Sequence, residues 1–230
     1  MRNLLAQLLR IPWFGGSCYL CRGAAADLLC KACDADLPRL AEPRCPRCAL
    51  ASSHGEVCGR CLSEKPHYDA TLAALAYEFP ADVLVHALKF RGELALAGLL
   101  GEMLAREISS HEVDCVVPVP LSAGRLRSRG YNHAAEIARH VAAGKLELAL
   151  CVRSLDTPPQ MDLPYAERQR NVRGAFRCTR ALVGQSVAVV DDVMTTGATL
   201  NEVASTLKAA GAARVVNWVV ARTFRAETRD

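Results

Sequence analysis

Val189-Val190-Asp191-Asp192-Val193-Met194-Thr195-Thr196-Gly197-Ala198-Thr199 is the stretch on which the fold of this 230-residue chain turns. Ser186-Val187-Ala188 leads into it, so a continuous apolar strand bounded by Gly184 and by two acids runs into a hydroxyl-rich loop. Leu200, Val203, Ala204 and Leu207 then recur at i, i+3, i+4 and i+7, one face of a helix that Gly211 ends. Strand, loop and helix in that order belong to an α/β sheet, where ligands bind at the carboxyl ends of the strands. Two adjacent carboxylates there repel each other with nothing to bind, so a polyol or a metal-bearing ligand is the expected partner. Thr195, Thr196 and Thr199 offer three hydroxyls, and the loop's backbone N–H groups at a helix N-terminus suit a phosphate. Thr199-Leu200-Asn201-Glu202 also fits a capping box, a structural use of part of the same motif.

Working outward, Thr71–Tyr77 reads as a strand, Ala81–Phe90 and Glu93–Ile108 as helices, and Asp114–Pro120 as a buried strand. A helix is expected over Asn132–Ala143 with Gly144 as its stop, then strands at Leu146–Val152 and Val215–Val220. Arg125, Arg127 and Arg129 read as a basic loop, and Ser154–Arg173 is polar and broken by proline. The alternation predicts a mostly parallel sheet covered on both faces, over residues 66–225.

Residues 1–65 are different. Eight of the 11 cysteines form four C-x-x-C pairs, Cys18/Cys21, Cys30/Cys33, Cys45/Cys48 and Cys58/Cys61. Two pairs supply the four thiolates of a tetrahedral Zn²⁺, so eight cysteines make two closed structural sites with no position left for a reacting water. In a segment poor in large apolar residues, metal binding replaces a core. Sequential pairing is favoured; an interleaved arrangement of first with third and second with fourth pair stays open on spacing. A thioredoxin-like dithiol would place one pair beside a βαβ unit rather than four in a row. The other cysteines, Cys115, Cys151 and Cys178, read as small buried apolar residues on or near strands.

Pairs at this spacing without a secretory signal imply a reducing, cytoplasmic setting. Asn3–Phe14 reads as a short amphipathic helix, interrupted by Arg10, with membrane-surface contact as the lesser alternative. No window holds 18 uninterrupted apolar residues, so a membrane span is not expected. The net charge of +4 is too mild to hold nucleic acid by phosphate contacts alone. Nine basic and six acidic residues give 1–65 a formal +3, which eight thiolates and two divalent zinc ions bring to −1. With aromatics at 5%, no base-stacking platform is visible.

A phosphate on one side and vicinal hydroxyls on the other describe ribose 5-phosphate, and here the chain resembles the type I phosphoribosyltransferases. Their binding loop reads acid-acid, two apolar residues, a variable residue, then Thr-Gly-x-Thr. The resemblance implies that Asp191 and Asp192 hold the ribose hydroxyls of phosphoribosyl pyrophosphate, and that Thr195, Thr196, Gly197, Ala198 and Thr199 cradle its 5-phosphate. It places the pyrophosphate at Pro118-Val119-Pro120-Leu121-Ser122, with Arg125, Arg127 and Arg129 supplying guanidinium groups. It implies Mg²⁺ on the diphosphate and a catalytic role for Asp191, Asp192 and Arg129. One departure stands out: members acting on 6-oxopurines carry an acid where this chain has Thr195, a poor proton acceptor near neutrality.

The four cysteine pairs ahead of Leu88-Lys89-Phe90, Arg129-Gly130-Tyr131-Asn132, Thr157-Pro158-Pro159-Gln160, Arg168-Gln169-Arg170-Asn171 and the acid-pair loop are, more narrowly, similar to the ComF family. That resemblance spans residues 18 to about 222. It implies a double zinc ribbon fused to a phosphoribosyltransferase domain, linked to natural competence and DNA utilisation. The expected activity is transfer of phosphoribosyl to an acceptor that the resemblance does not supply. The alternative is a non-catalytic factor that binds single-stranded DNA or competence and recombination proteins and keeps the pocket as a sensor.

Overall fold

The computed structural model describes residues 16–108, 112–155 and 172–224. Asn3–Phe14, Thr157–Gln160 and Arg168–Asn171 lie outside the described residues. The chain divides into two compact units, Met1–Leu37 and Pro38–Asp230.

In the first unit the Cys18–Cys21 pair sits on a tight turn. Arg22 N–H donates to the Cys18 carbonyl at 2.9 Å and Cys18 N–H to the Gly23 carbonyl at 2.7 Å. Cys30 then caps helix α1 (Lys31–Ala35), whose first turns hold Cys33. The second unit opens with the same device. Ala49 N–H donates to the Cys45 carbonyl at 2.9 Å and Cys45 N–H to the Leu50 carbonyl at 2.7 Å, and Cys58 precedes helix α2 (Gly59–Glu64), which carries Cys61. Each site thus joins a turn to a helix N-terminus, whose dipole favours thiolate. The pairing is sequential in both.

Next come β1 (Ala70–Ala76), α3 (Ala81–Phe90), α4 (Ala95–Ile108) and β2 (Cys115–Pro118). Then follow α5 (Ala123–Arg129), α6 (His133–Ala142), β3 (Cys151–Arg153), β4 (Phe176–Cys178), β5 (Ser186–Met194), α7 (Ala198–Ala209) and β6 (Arg214–Arg222). Four strands form one sheet in the order β1-β6-β5-β2, and every pairing in it is parallel.

Helices α4 and α6 pack on one face of the sheet and on each other. They approach closely at Gly101, where an added Cβ would lie 2.7 Å from His140 Cβ and 3.2 Å from the Ile137 carbonyl oxygen. The other face carries α7, the β3–β4 ribbon and the second cysteine segment. Cys45, Cys48, Cys61 and Tyr68 share one apolar cluster with Val187, Val189, Val203, Leu207 and Val219. The second cysteine segment therefore stands where an α/β sheet would carry another helix. It also runs along β1, the edge strand. Ala76 N–H donates to the Pro38 carbonyl at 2.7 Å, Thr71 N–H to the Pro46 carbonyl at 3.1 Å, and Arg44 Nη1 to the Ala73 carbonyl at 3.2 Å. An edge covered this way cannot pair with another chain.

Three expectations change. Of Leu146–Val152 only the end is strand, and Cys151–Arg153 pairs antiparallel with β4 outside the main sheet. Leu146 makes a single bridge to Val116 before the chain turns, leaving Leu148 exposed. The basic loop is instead a helix, α5: Ser122 Oγ accepts from Arg125 N–H and Gly130, at a φ of 78°, ends it. Its sequence lacks an apolar stripe, which is why periodicity passed over it. Finally, β5 runs past the apolar residues to Met194, because the backbone of the acid pair still pairs with β6.

Candidate functional site

β2 ends at Pro118 opposite Val190, while β5 continues beside β6 to Met194. Proline has no N–H with which to extend a ladder, and Val119 N–H makes the last bond, to the Val190 carbonyl at 2.9 Å. From Asp191 onward β5 is released on its β2 side, and a cavity of about 1040 Å³ opens there. Asp191, Asp192, Thr195, Thr196, Gly197, Ala198 and Thr199 line one side of it, and Val119, Pro120, Leu121, Arg125 and Arg129 contribute from across the step. Arg125 and Arg129 lie at i, i+4 on α5 and share a face. Arg127, between them, is exposed and is not among the lining residues.

The loop is shaped by Gly197, whose φ is 84°. A Cβ there would lie 2.7 Å from Met194 Cε and 3.2 Å from Tyr68 Oη, so glycine serves both the left-handed backbone and the close approach. Gly197 is the residue that precedes α7, and Thr196 Oγ1 accepts from Ala198 N–H at 3.2 Å. The capping box at Thr199 does not form. Thr199 lies inside the first turn, and Glu202 Oε1 instead accepts from Gly174 N–H at 2.7 Å.

Sequence reasoning assigned no role to Lys89 or His133, yet both meet Asp192. Lys89 Nζ lies 2.8 Å from Asp192 Oδ2 and His133 Nε2 lies 3.4 Å from the same oxygen. Arg129 Nη1 is 3.1 Å from His133 Nδ1. A guanidinium can only donate, so Nδ1 accepts and the neutral ring carries its proton on Nε2, toward Asp192. Burial pushes the His133 imidazole down to about 4, against the pull of Asp192. The available signals were a lysine inside an apolar helix and a histidine at a helix start. Neither has a spacing that names its partner.

The two acids part company. For Asp191, burial and the neighbouring Asp192 charge push the carboxyl up to about 8. For Asp192, burial resists ionisation, but Lys89 and His133 outweigh it and hold the carboxyl well below the usual carboxylate range. On Lys89 the same charges outweigh burial and raise its pKa above the ordinary value. The cleft thus presents one fixed carboxylate, tied to a lysine, and one carboxyl short of positive charge or hydrogen-bond donors.

The cysteines fit zinc. The thiol sulfurs of Cys18, Cys21, Cys30 and Cys33 lie within 4.8 Å of one another, as do those of Cys45, Cys48, Cys58 and Cys61. Cys21 Sγ is 3.8 Å from Cys30 Sγ and Cys48 Sγ is 3.6 Å from Cys58 Sγ. Sulfurs at zinc–sulfur distance on a tetrahedron stand about 3.8 Å apart. At Cys45 burial resists ionisation, but the backbone N–H groups of Cys58, Cys48 and Arg47 outweigh it and bring the thiol down to about 7.

Residues 13–62 match the double zinc ribbon domain family, and residues 104–229 the phosphoribosyl transferase domain family. Over 231 residues the chain is 32% identical to the DNA utilization protein YhgH of Salmonella typhimurium, an alignment covering 94% of this chain and 100% of that one. The chain belongs to the ComF family. Competence protein F of Haemophilus influenzae is 28% identical over 228 residues, covering 91% of this ComF chain and 98% of that relative. Among solved structures, the allosteric regulatory enzyme of purine biosynthesis is 28% identical, with 54% of this ComF chain and 25% of that chain covered and a TM-score of 0.37. The two four-cysteine clusters are the zinc sites of the ComF double ribbon. Among the described residues, no helix is long and apolar enough to cross a membrane.

Proposed function

We propose that the cleft binds phosphoribosyl pyrophosphate with Mg²⁺ and that the protein transfers the phosphoribosyl group to an acceptor, releasing pyrophosphate. The observation that carries this reading is the junction at the end of β5, where an acid pair, a glycine-shaped N–H cradle and two arginines surround one cavity. The loop Thr195–Thr199, at the N-terminus of α7, receives the 5-phosphate through backbone N–H groups, that of Ala198 being shared with Thr196 Oγ1. Asp191 and Asp192 accept from the ribose hydroxyls. Hydroxyl donors are what Asp191 lacks, and Lys89 keeps Asp192 ionised to receive them. Arg125 and Arg129, with the Val119-Pro120-Leu121 turn, take up the diphosphate, to which a guanidinium binds bidentately.

The donor set also suits a divalent cation shared with the ligand, since Asp191, a carboxyl short of positive charge, lines the cavity beside the Asp192 carboxylate. Asp191 and Asp192 would hold it through the ribose hydroxyls. When bound, Mg²⁺ supplies neutralisation of the departing diphosphate. In the transfer, the acceptor's lone pair forms a bond to the anomeric carbon as the bond to the diphosphate oxygen breaks. The charge that develops is oxocarbenium-like on the sugar and anionic on the leaving group, and the arginines are placed to stabilise the latter.

Calorimetric titration of zinc-loaded protein with phosphoribosyl pyrophosphate and Mg²⁺ tests the reading. We expect binding that Asp191→Asn and Asp192→Asn together abolish, and pyrophosphate release once an acceptor is found. Absence of binding by folded protein would overturn it. Binding without turnover across bases, amines and nucleic acids would point to the ligand-sensing factor instead. Relatives named for DNA utilisation and competence make single-stranded DNA, or the proteins that handle it in the cytoplasm, the partner class to titrate, with salt dependence as the readout.

A further inference from the structure

Arg222 is a charged side chain at the end of a central strand, yet it is 2% exposed. Its Nε and Nη1 are taken up by backbone carbonyls from three places. Nε donates to the Cys48 carbonyl at 3.0 Å. Nη1 donates to the Met194 carbonyl at 2.8 Å, to the Thr195 carbonyl and to the Thr223 carbonyl at 2.9 Å. Cys48 is a ligand of the second zinc site, while Met194 and Thr195 are the entry to the phosphate loop. One rigid planar group therefore ties the metal turn to the loop backbone.

A second tie runs in parallel. Arg60, next to the ligand Cys61 on α2, donates from Nη2 to the Thr196 carbonyl at 3.1 Å. A zinc ion with four thiolates carries a net charge of about −2, so the site itself offers a counter-charge to the buried Arg222 guanidinium, while Arg60 also pairs through Nε with Glu64 Oε2 at 3.0 Å. Buried arginine is costly without such a counter-charge. Tyr68, in the same apolar cluster as Cys48 and Cys61, packs its hydroxyl against Gly197. Three consecutive residues of the loop and its glycine are thus held from the metal side, opposite the cavity.

We propose that the second zinc site positions the Thr195–Thr199 loop, with Arg222 and Arg60 as positioning residues, so that metal loss there weakens anion binding in a cavity that no cysteine lines. The proposal rests on the cleft being the phosphoribosyl pyrophosphate site, and it deepens that reading by assigning the ribbon a task in ligand binding. Carbonyls held by guanidinium fix the peptide planes, and with them the directions of the N–H groups offered to the phosphate. Without the metal, the turn Cys45–Leu50 loses what fixes it, and Arg222 loses both an acceptor in a set place and its counter-charge.

The test compares full-length proteins of measured zinc content. Cys58→Ser should remove one zinc, weaken phosphoribosyl pyrophosphate binding about tenfold, and speed hydrogen exchange of the amides at 196–199 in the free protein to a similar degree, as expected for loss of hydrogen bonds to a charged group. Cys30→Ser, which empties the first site, serves as the control and should change neither. Arg60→Gln, on a partly exposed side chain, keeps both zincs and should weaken binding several-fold, on the order of one charged hydrogen bond. Arg60→Lys should restore part of that loss. Unchanged loop exchange in both Cys58→Ser and Arg60→Gln would overturn the proposal, as would equal losses in Cys58→Ser and Cys30→Ser. Because loop exchange is read without ligand, wild-type protein that binds no phosphoribosyl pyrophosphate would defeat the reading of the cleft while leaving the link between metal and loop to be decided on its own.

Discussion

Asp191 and Asp192 are adjacent on one strand and titrate in opposite directions, because Lys89 Nζ pairs directly with Asp192 Oδ2 at 2.8 Å, whereas at Asp191 burial and the neighbouring Asp192 charge prevail. The stability consequences have opposite signs. Asp191 holds its proton up to about pH 8 in the folded chain, whereas the unfolded chain releases it near the ordinary carboxylate value. Between those limits the folded state binds the extra proton, so stability falls as pH rises from about 4 to about 8. Asp192 is the reverse: its contribution is complete above the ordinary value and is lost as acid protonates it. In the absence of ligand and divalent cation, Asp191→Asn should therefore raise Tm over wild type by about 3 °C or more at pH 8, for roughly 1 kcal/mol, and by little at pH 4. Asparagine retains an Oδ1 to accept the Asp192 N–H that Asp191 accepts at 2.9 Å, so the loop geometry survives the change. Melting curves at both pH values decide it; equal shifts at the two would mean that Asp191 is an ordinary carboxylate.

Among the elements, the close contact of α4 with α6 depends on one hydrogen atom. Gly101 lies inside α4, where alanine would ordinarily gain about 1 kcal/mol of helix propensity, but its Cβ would meet His140 Cβ at 2.7 Å and backbone of α6 at 3.2 Å. Neither neighbour is the far end of a flexible chain, so α4 and α6 must separate. Gly101→Ala should lower stability by about 1–2 kcal/mol in urea unfolding, whereas Gly98, whose added Cβ meets only the His140 ring at 3.4 Å, should tolerate alanine. The strand-loop-helix at 186–209 was legible in the sequence because its apolar run, its acids and its glycine each carry a local signal. The cysteine pairs were legible for the same reason. Helix α5 was not, since its sequence, Ala-Gly-Arg-Leu-Arg-Ser-Arg, has a cap and a stop but no buried face. Lys89, His133 and Arg222 were not, because their partners lie 103, 59 and 174 residues away in the chain, and periodicity reports only on neighbours.

For the molecule as a whole, the cysteine spacing and the packing divide the chain at different points. The cysteine pairs end at Cys61, which set a division between residues 65 and 66; the compact units instead part between Leu37 and Pro38. The two divisions make opposed predictions for truncation. A chain beginning at Pro38 keeps one four-cysteine site, the carbonyls of Pro38 and Pro46 that cap the β1 edge and the Cys48 carbonyl that receives Arg222. A chain beginning at Pro66 loses all of these, uncovers apolar side chains of Tyr68, Ala73 and the sheet behind them, and leaves Arg222 without its acceptor on the metal side. Exposed edge and exposed face together favour association over folding. The 38–230 chain should therefore bind one equivalent of zinc and unfold in a single cooperative transition, while 66–230 should be aggregated or lack a cooperative melt. Zinc content, sedimentation and thermal unfolding of the two truncated chains separate the cases, and a monomeric 66–230 chain melting as sharply as the full protein would show that the second ribbon is an appendage rather than a layer of the sheet domain.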